Sequence, residues 1–314
     1  MAKRRVSQLN CLIAVDKPVG CTSHDVVSRV RRALGERRVG HAGTLDPLAS
    51  GVMVVGIGQA TRLLGLLTLD TKAYVAEITF GSETSTDDAE GEVVREADVH
   101  PGLFEHAAAE AACKSVLGQQ MQVPPSYSAI SVNGVRSYKR ARAGEEVELD
   151  ARPIEVLAAD PIAVACRDGV PVWAIAFTVS KGTYIRALAR DMGRALGTAA
   201  HLSALRRTAS GSIGLGSCVS LDDLDVRTAC EHMLDPVRVL DVPAVVLPER
   251  LREDVLCGKR LSSSIAVGAD GRLLGEGERC ALVSGGSLVA LAAVQGSAIA
   301  PRDVFPQPIG GVAL

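Results

Sequence analysis

The sequence predicts a chain of about two domains, the first mixing helices with strands and the second small and rich in β-structure. Three observations carry this. At 314 residues the chain is long for one domain, since roughly 100–200 residues is the usual allotment. Up to about Asp235, apolar residues follow the 3.6-residue helical period in some windows and strict alternation in others. Beyond Pro243, short apolar runs are punctuated by Gly268, Gly271, Gly275, Gly285 and Gly286, the pattern of a small β-rich unit. Two prolines flank a short apolar run in Asp235–Pro243, so the seam is set there, giving domains 1–240 and 241–314. A tail of roughly 70 residues lies within the domain range, and separate folding is expected.

Leu12–Val15 reads as a short strand. Thr22-Ser23 can cap a helix whose Val26, Val27, Val30 and Leu34 face inward, leaving Arg29, Arg31 and Arg32 on a cationic face. A glycine-punctuated loop runs from Gly40 to Gly51, followed by a buried strand, Val52–Ile57. Tyr74, Ala76, Ile78 and Phe80 alternate with more polar neighbours as one face of a strand. Glu83–Gly91 is an acidic, turn-rich loop, and an amphipathic helix is expected near Leu103–Leu117. Asn133-Gly134 suits the positive φ angles of a type I′ hairpin turn. Val172–Val179 is a strand. After Lys181-Gly182-Thr183 comes a helix with Ile185, Leu188, Met192 and Leu196 inward, ended at Gly197. Arg186, Arg190 and Arg194 recur every four residues and share a face. A helix around Leu251–Cys257 closes at Gly258.

A hydrophobic fraction of 47% is enough for a core and excludes wholesale disorder. One Trp, four Tyr and four Phe disfavour an array of aromatic stacking platforms for single-stranded nucleic acid. The net charge of −2 hides strong local asymmetry. Residues 1–70 hold ten basic and five acidic side chains, 181–207 six and one, 81–110 one and nine. Solvated helix faces would explain any one cluster; together they suggest a polyanion-binding face with an acidic surface elsewhere. The eight Cys form no CxxC pair and the six His add no zinc spacing, so no metal is expected. Reduced thiols, no signal peptide behind the basic N-terminus, and no apolar run near the ~18 residues of a membrane span point to a cytoplasmic protein without a membrane partner.

Chemistry has four candidate sites. The Gly40–Gly51 loop lacks the GxGxxG and GxxxxGK[ST] signatures, which disfavours a phosphate cradle. Within it Asp46 precedes Pro47; from spacing alone, an Asp that caps its own turn is the leading reading. Lys181–Arg186 sets an arginine in the first turn of a helix, either a surface cation or a guanidinium aimed at an anion. Tyr74 is either a core-edge aromatic or a cleft residue. Pro124-Pro125-Ser126-Tyr127-Ser128-Ala129 reads as a stiff, structural entry to the hairpin.

Taken in order, these pieces form a pattern. Asp16-Lys17-Pro18-x-Gly20, Gly40-His41-x-Gly43-x-Leu45-Asp46-Pro47-x-Ala49-x-Gly51, Lys72-x-Tyr74 and Pro124-Pro125-x-Tyr127-Ser128-Ala129 come first. Tyr138-x-x-Ala141-Arg142-x-Gly144, Ser180-Lys181-Gly182-Thr183-Tyr184-Ile185-Arg186 and Leu205-Arg206-Arg207 follow. The chain thereby resembles the tRNA pseudouridine synthase B (TruB) family up to about residue 235, and its tail is similar to a small RNA-binding PUA-type domain. The resemblance implies an α+β fold around a mixed, largely antiparallel sheet. It implies isomerisation of uridine to pseudouridine at position 55 in the T loop of tRNA, with no cofactor, no metal and no obligate protein partner. By the same resemblance Asp46 is the catalytic carboxylate, Arg186 its partner that keeps it ionised, and Tyr74 the ring on the uracil, implicated in proton removal at C5. Leu205 is an apolar contact to the uracil, and His41 helps displace the target nucleotide. Lys17 supports the pocket, and Asp88 and Tyr184 are substrate-binding residues. Ser85 stands where some relatives have Asp. Two other readings stay open: an RNA-folding protein with an idle isomerase site, and a guide-RNA-dependent relative inside a ribonucleoprotein.

Overall fold

The computed structural model describes residues 7–313, apart from 69–70, 129, 133–134, 138–139, 141–144 and 146–148. The Tyr138–Gly144 motif and the Asn133-Gly134 turn therefore lie wholly or partly outside the described residues. In chain order β1 (Cys11–Lys17), α1 (Ser23–Leu34), β2 (Val39–Ala42), β3 (Ala49–Ile57), α2 (Leu64–Leu67) and β4 (Lys72–Phe80) come first. There follow β5 (Ser82–Thr84), β6 (Val93–Glu96), α3 (His106–Ser115), β7 (Gly118–Gln122), β8 (Ser131–Val132) and β9 (Val135–Arg136). Then come β10 (Arg152–Arg167), β11 (Val170–Val179), α4 (Ile185–Ala195), β12 (Ala200–Ser210), β13 (Ile213–Gly214) and β14 (Cys218–Ser220). The tail adds α5 (Val226–Glu231), α6 (Pro236–Leu240), β15 (Ala244–Val246), α7 (Glu249–Leu256), β16 (Leu261–Ser262), β17 (Arg279–Ser284), β18 (Ser287–Gln295) and β19 (Ala298–Ile309).

The local signals explain several boundaries. Thr22 caps α1 through a reciprocal box: its hydroxyl accepts from Asp25 N–H, and the Asp25 carboxylate accepts from Thr22 N–H at 2.9 Å. Gly35 ends the helix in the left-handed region, at φ 64°. The expected helix near Leu103–Leu117 is shorter, His106–Ser115, because Pro101–Phe104 forms a separate 3-10 turn. Two long strands have no counterpart in the sequence reading. In β10, two prolines and an alanine-rich composition mask the strand. In β12, Arg206 and Arg207 read as part of a basic cluster although the strand sits between β3 and β4.

Ten strands form one mixed sheet in the order β14-β1-β3-β12-β4-β11-β10-β7, with β2 on β3 and β13 on β12. The β1–β14 and β3–β12 pairs are parallel and the others antiparallel, which makes the fold α+β with a mixed, largely antiparallel sheet. One face packs Ile13, Met53, Tyr74, Ile78, Phe80 and Trp173 against α1, α3 and α4. Trp173 is fully buried and donates its indole N–H to Leu103 O at 2.8 Å. The opposite face presents Leu12, Ala14, Val52 and Val54. The second sheet, β15-β17-β18-β19-β16, covers it with Ala281, Val283, Leu288, Phe305 and Ile309. The tail therefore completes a core of the first sheet as well as holding one of its own around Val255, Leu282 and Ile299.

Candidate active site

Asp46 sits in the β2–β3 loop. Ala49 N–H donates to Asp46 O at 3.1 Å, closing an Asp-Pro turn with Pro47 in its favoured second position. The turn reading of Asp46 is thus right for the backbone, yet the carboxylate is not spent on it. Asp46 Oδ2 lies 2.9 Å from Arg186 Nε, and its side chain is still 36% exposed, open to a substrate. Lys17 pins the turn from beneath. Fully buried at the end of β1, its ammonium donates to Pro18 O at 2.9 Å and Ala49 O at 2.5 Å, with Pro47 O at 3.4 Å. On the far side, Ser23 Oγ both accepts from Leu45 N–H and donates to Leu45 O, 2.8 and 2.9 Å away. Gly51 lets β3 approach β12: at φ 107°, a Cβ there would stand 2.1 Å from Arg207 O.

Arg186 opens α4, with only 5% of its side chain exposed. Its Nη1 donates to Thr86 O and its Nη2 to Tyr127 O, both at 2.9 Å, and Asp88 Oδ2 lies 3.5 Å from Nη1. The start of α4 is fixed by Gln122. This buried side chain accepts from Tyr184 N–H at 2.9 Å and donates to Tyr184 O at 3.1 Å, as a strand partner would. Asp88 turns inward: it is 3% exposed, and its carboxylate also accepts from Thr86 Oγ1 and from Glu90 N–H. Neither Lys17 nor Asp88 presents its charge to a surface that a bound strand could reach.

Burial raises the Asp46 carboxyl above its ordinary value; Arg186 pulls it back, Asp88 pushes it further up and Lys17 pulls it down. The expectation that Arg186 simply holds Asp46 ionised therefore meets an opposing and larger desolvation. Glu90 is raised by burial and by the charges of Asp88 and Asp46. Burial raises the Tyr184 hydroxyl. Burial lowers His41, on β2 opposite Val55; a hydrogen bond to the Gly43 backbone works against this and the Arg207 charge adds to it. Tyr74 and Leu205 lie on the helix-bearing face of the sheet, each 9% exposed. The ladders pair Tyr74 with Arg207 and Leu205 with both Ala76 and Ala49, so Leu205 borders β3, the strand that leaves the Asp46 turn, and Tyr74 lies one strand further on, across β12.

The structure thus brings Asp46, Arg186 and Asp88 into one charged cluster, with Lys17 and Tyr184 beside it and Tyr74 and Leu205 on the adjoining sheet. His41 lies on β2, the strand that runs into the Asp46 loop. Sequence reasoning missed Gln122 and the carbonyls of Thr86 and Tyr127, since a backbone acceptor leaves no mark in residue type. It also gave no sign that the arginines of the 181–207 cluster meet carboxylates and carbonyls of the chain itself. Arg186, Arg190, Arg194 and Arg206 pair with Asp46 and Asp88, Asp87, Glu83 and Asp16, and Arg207 is buried on Val52 O and Gly43 O. The acidic segment is the counterpart of that cluster. Among the described residues, no group of His, Cys, Asp and Glu is placed to hold a metal ion, and no helix is long and apolar enough to cross a membrane.

Residues 31–185 match the family model of the TruB family pseudouridylate synthase N-terminal domain, and residues 186–242 that of the tRNA pseudouridylate synthase B C-terminal domain. A tRNA pseudouridine synthase B of Arthrobacter sp. is 44% identical over 299 residues, covering 95% of this chain and 97% of that protein. One of Mycobacteroides abscessus is 50% identical over 244 residues, 74% and 80% of the two chains. Among solved structures, a chain of a Cbf5–Nop10–Gar1 complex superposes with a TM-score of 0.66 at 25% identity, covering 94% of this chain and 84% of that one. Fold and likenesses define the class, a pseudouridine synthase with a C-terminal β-rich unit of PUA-like character. Within that class, the chain belongs to the TruB family.

Proposed function

We propose that this chain isomerises uridine to pseudouridine in tRNA, at position 55 of the T loop, with Asp46 as the catalytic carboxylate acting on a flipped-out uridine. The observation that carries this reading is the half-open Asp46 carboxylate held 2.9 Å from the buried Arg186 guanidinium. In the reaction the N1–C1′ bond breaks, the uracil turns, a C5–C1′ bond forms, the C5 proton leaves and N1 takes up a proton, so substrate and product are isomers. No electrons are gained or lost, so the side chains present can carry the chemistry. Asp46 acts toward the sugar or the base as nucleophile or base. Arg186 fixes its direction, and the Tyr74 ring and Leu205 keep the detached uracil in place, the Tyr74 hydroxyl standing near the C5 proton. His41 fills the space from which a base in a folded loop must be drawn. Tyr184, beside Arg186, is a substrate-binding residue. Lys17 and Asp88 act through the Asp46 turn and through Arg186. The tail is an additional RNA-binding surface, and the protein works in the cytoplasm without metal, cofactor or obligate partner.

The test is incubation of purified protein with an unmodified T-arm stem-loop, without added protein or guide RNA, followed by mapping of pseudouridine by mass spectrometry. Conversion at the position equivalent to 55, abolished in Asp46→Asn with RNA binding retained, supports the reading. No conversion by the wild-type protein overturns it.

A further inference from the structure

Arg190 repeats the grip of Arg186 one helical turn further along α4. Arg186 holds the 83–88 loop by Thr86 O and the 123–127 segment by Tyr127 O. Arg190 holds the same loop by Asp87, Nη1 to Oδ2 at 2.8 Å, and the same segment by Val123 O, Nη2 to O at 2.9 Å. Its Nε is taken by Asp191 at 2.9 Å. Both side chains of the Arg190–Asp87 pair are nearly covered, 10% and 12% exposed, so solvent screens the pair little.

Asp87 is itself held unusually. Its φ is 60°, a left-handed conformation that Asp tolerates but does not prefer. Its N–H donates to Thr84 O at 3.1 Å, and its carbonyl accepts from Leu202 N–H at 3.1 Å, tying the loop to β12 close to Leu205. The residues on either side, Thr86 and Asp88, are the ones that touch Arg186. A shift of Asp87 must therefore move the acceptors of the Arg186 guanidinium, and with them its Nε facing Asp46.

Resting on the function proposed above, we infer that the Arg190–Asp87 pair is a positioning device for Arg186. It sets the separation of the two segments that Arg186 bridges, and so the direction in which Arg186 holds the Asp46 carboxylate. Neither residue needs to touch RNA. A guanidinium is required because the grip is two-handed; the lysine ammonium has charge but no fork.

The experiment measures the single-turnover rate of pseudouridine formation at saturating T-arm RNA, with RNA affinity and melting temperature alongside. Arg190→Lys is expected to slow the rate by about 10- to 100-fold, the scale of small misplacements of reacting groups, with affinity changed less than about threefold. Asp87→Asn, nearly isosteric, is expected to slow it in the same sense and carries the comparison if Arg190→Lys fails to fold. In an Arg186→Lys background, Arg190→Lys is expected to cost no further rate over long incubations, while its effect on melting temperature persists. Wild-type rates in both single variants overturn the inference, as does a loss of rate that multiplies in the Arg186→Lys background. An inert wild-type protein is a different result, since it removes the proposed function instead.

Discussion

Helices α1 and α4 are both rich in arginine and use it in opposite ways. On α4, Arg186, Arg190 and Arg194 each meet a carboxylate of the 83–88 loop, and Glu83 additionally holds Arg95. On α1 and the turn after it, Arg29 pairs with the exposed Asp222 at 3.6 Å, and its charge also reaches Asp25 on its own helix. Arg31 is spent on Val39 O and Arg38 on Thr61, while Arg32 and Arg37 are exposed with no carboxylate partner among the described residues. The nearby Glu36 is buried and accepts from the Gln8 and Leu9 N–H groups. The difference teaches that a run of like charge in sequence says nothing about the charge a partner meets. What decides is whether the fold carries an acidic segment to it. Arg62 shows the α4 pattern inside the N-terminal cluster, for it pairs with Asp303 at 2.7 Å and stacks on Phe305 of the tail.

The largest effects belong on the neutralised side of that comparison. Asp46→Asn is expected to lower single-turnover pseudouridine formation by about 10²- to 10⁴-fold or more, with the fold and RNA affinity kept. Arg186→Lys should lose about 10²- to 10³-fold despite its charge, because one ammonium cannot serve Asp46, Thr86 O and Tyr127 O at once. Tyr74→Phe should bind RNA and react slowly. Near-normal rates for the first two would dissolve the contrast between a working and a solvated arginine.

Phe305→Ala comes next and tests where the tail belongs. Its side chain is fully buried in the core shared between the two sheets, so its loss should cost about 3–5 kcal/mol. Because Leu12, Ala14, Val52 and Val54 of the first sheet share that core, thermal unfolding should remain a single transition at a lower temperature. For the same reason, a chain cut near Pro243 is expected to be poorly soluble. Two separate transitions, or a stable truncated protein, would favour the independent folding expected from tail length.

The pH dependence sharpens the electrostatic reading. Since burial raises Asp46, the acid limb of the rate profile should lie above the ~3.9 of an unperturbed Asp. Arg186 pulls that carboxyl down and Asp88 pushes it up, so Arg186→Gln should move the limb to higher pH and Asp88→Asn to lower pH. Shifts of the opposite sign would mean that a different group sets the limb.

Much of this was legible from residue order alone. The α1 period and cap, the alternation in β4 and the Asp-Pro turn are local signals, and local signals survive in one dimension. The resemblance supplied the pairing of Asp46 with Arg186. Illegible were relations that only packing creates. Asp88 looked like a loop residue available to RNA, yet Arg186 and two local donors, the Thr86 hydroxyl and Glu90 N–H, draw its carboxylate inward. β12 looked like a basic stretch, yet its alternation is set by neighbours on both sides. Gln122 gave no signal at all, because its work is to imitate a backbone.

The smallest expected effect tests the other half of the comparison. If α1 faces RNA, the double substitution Arg32→Ala with Arg37→Ala removes charges that no protein carboxylate neutralises, and counterions released by phosphate contact report them. Each lost contact should flatten the slope of log K against log salt by about 0.7 to 0.9, and affinity should fall only severalfold. Arg194→Ala is the control. Its charge is already balanced by Glu83 at 2.6 Å, so the slope should not change even if stability drops. A flatter slope for Arg194→Ala and none for the α1 pair would invert the assignment. Arg32, in the last turn of α1, would then be left with a local role, a cation complementing the negative end of the helix dipole.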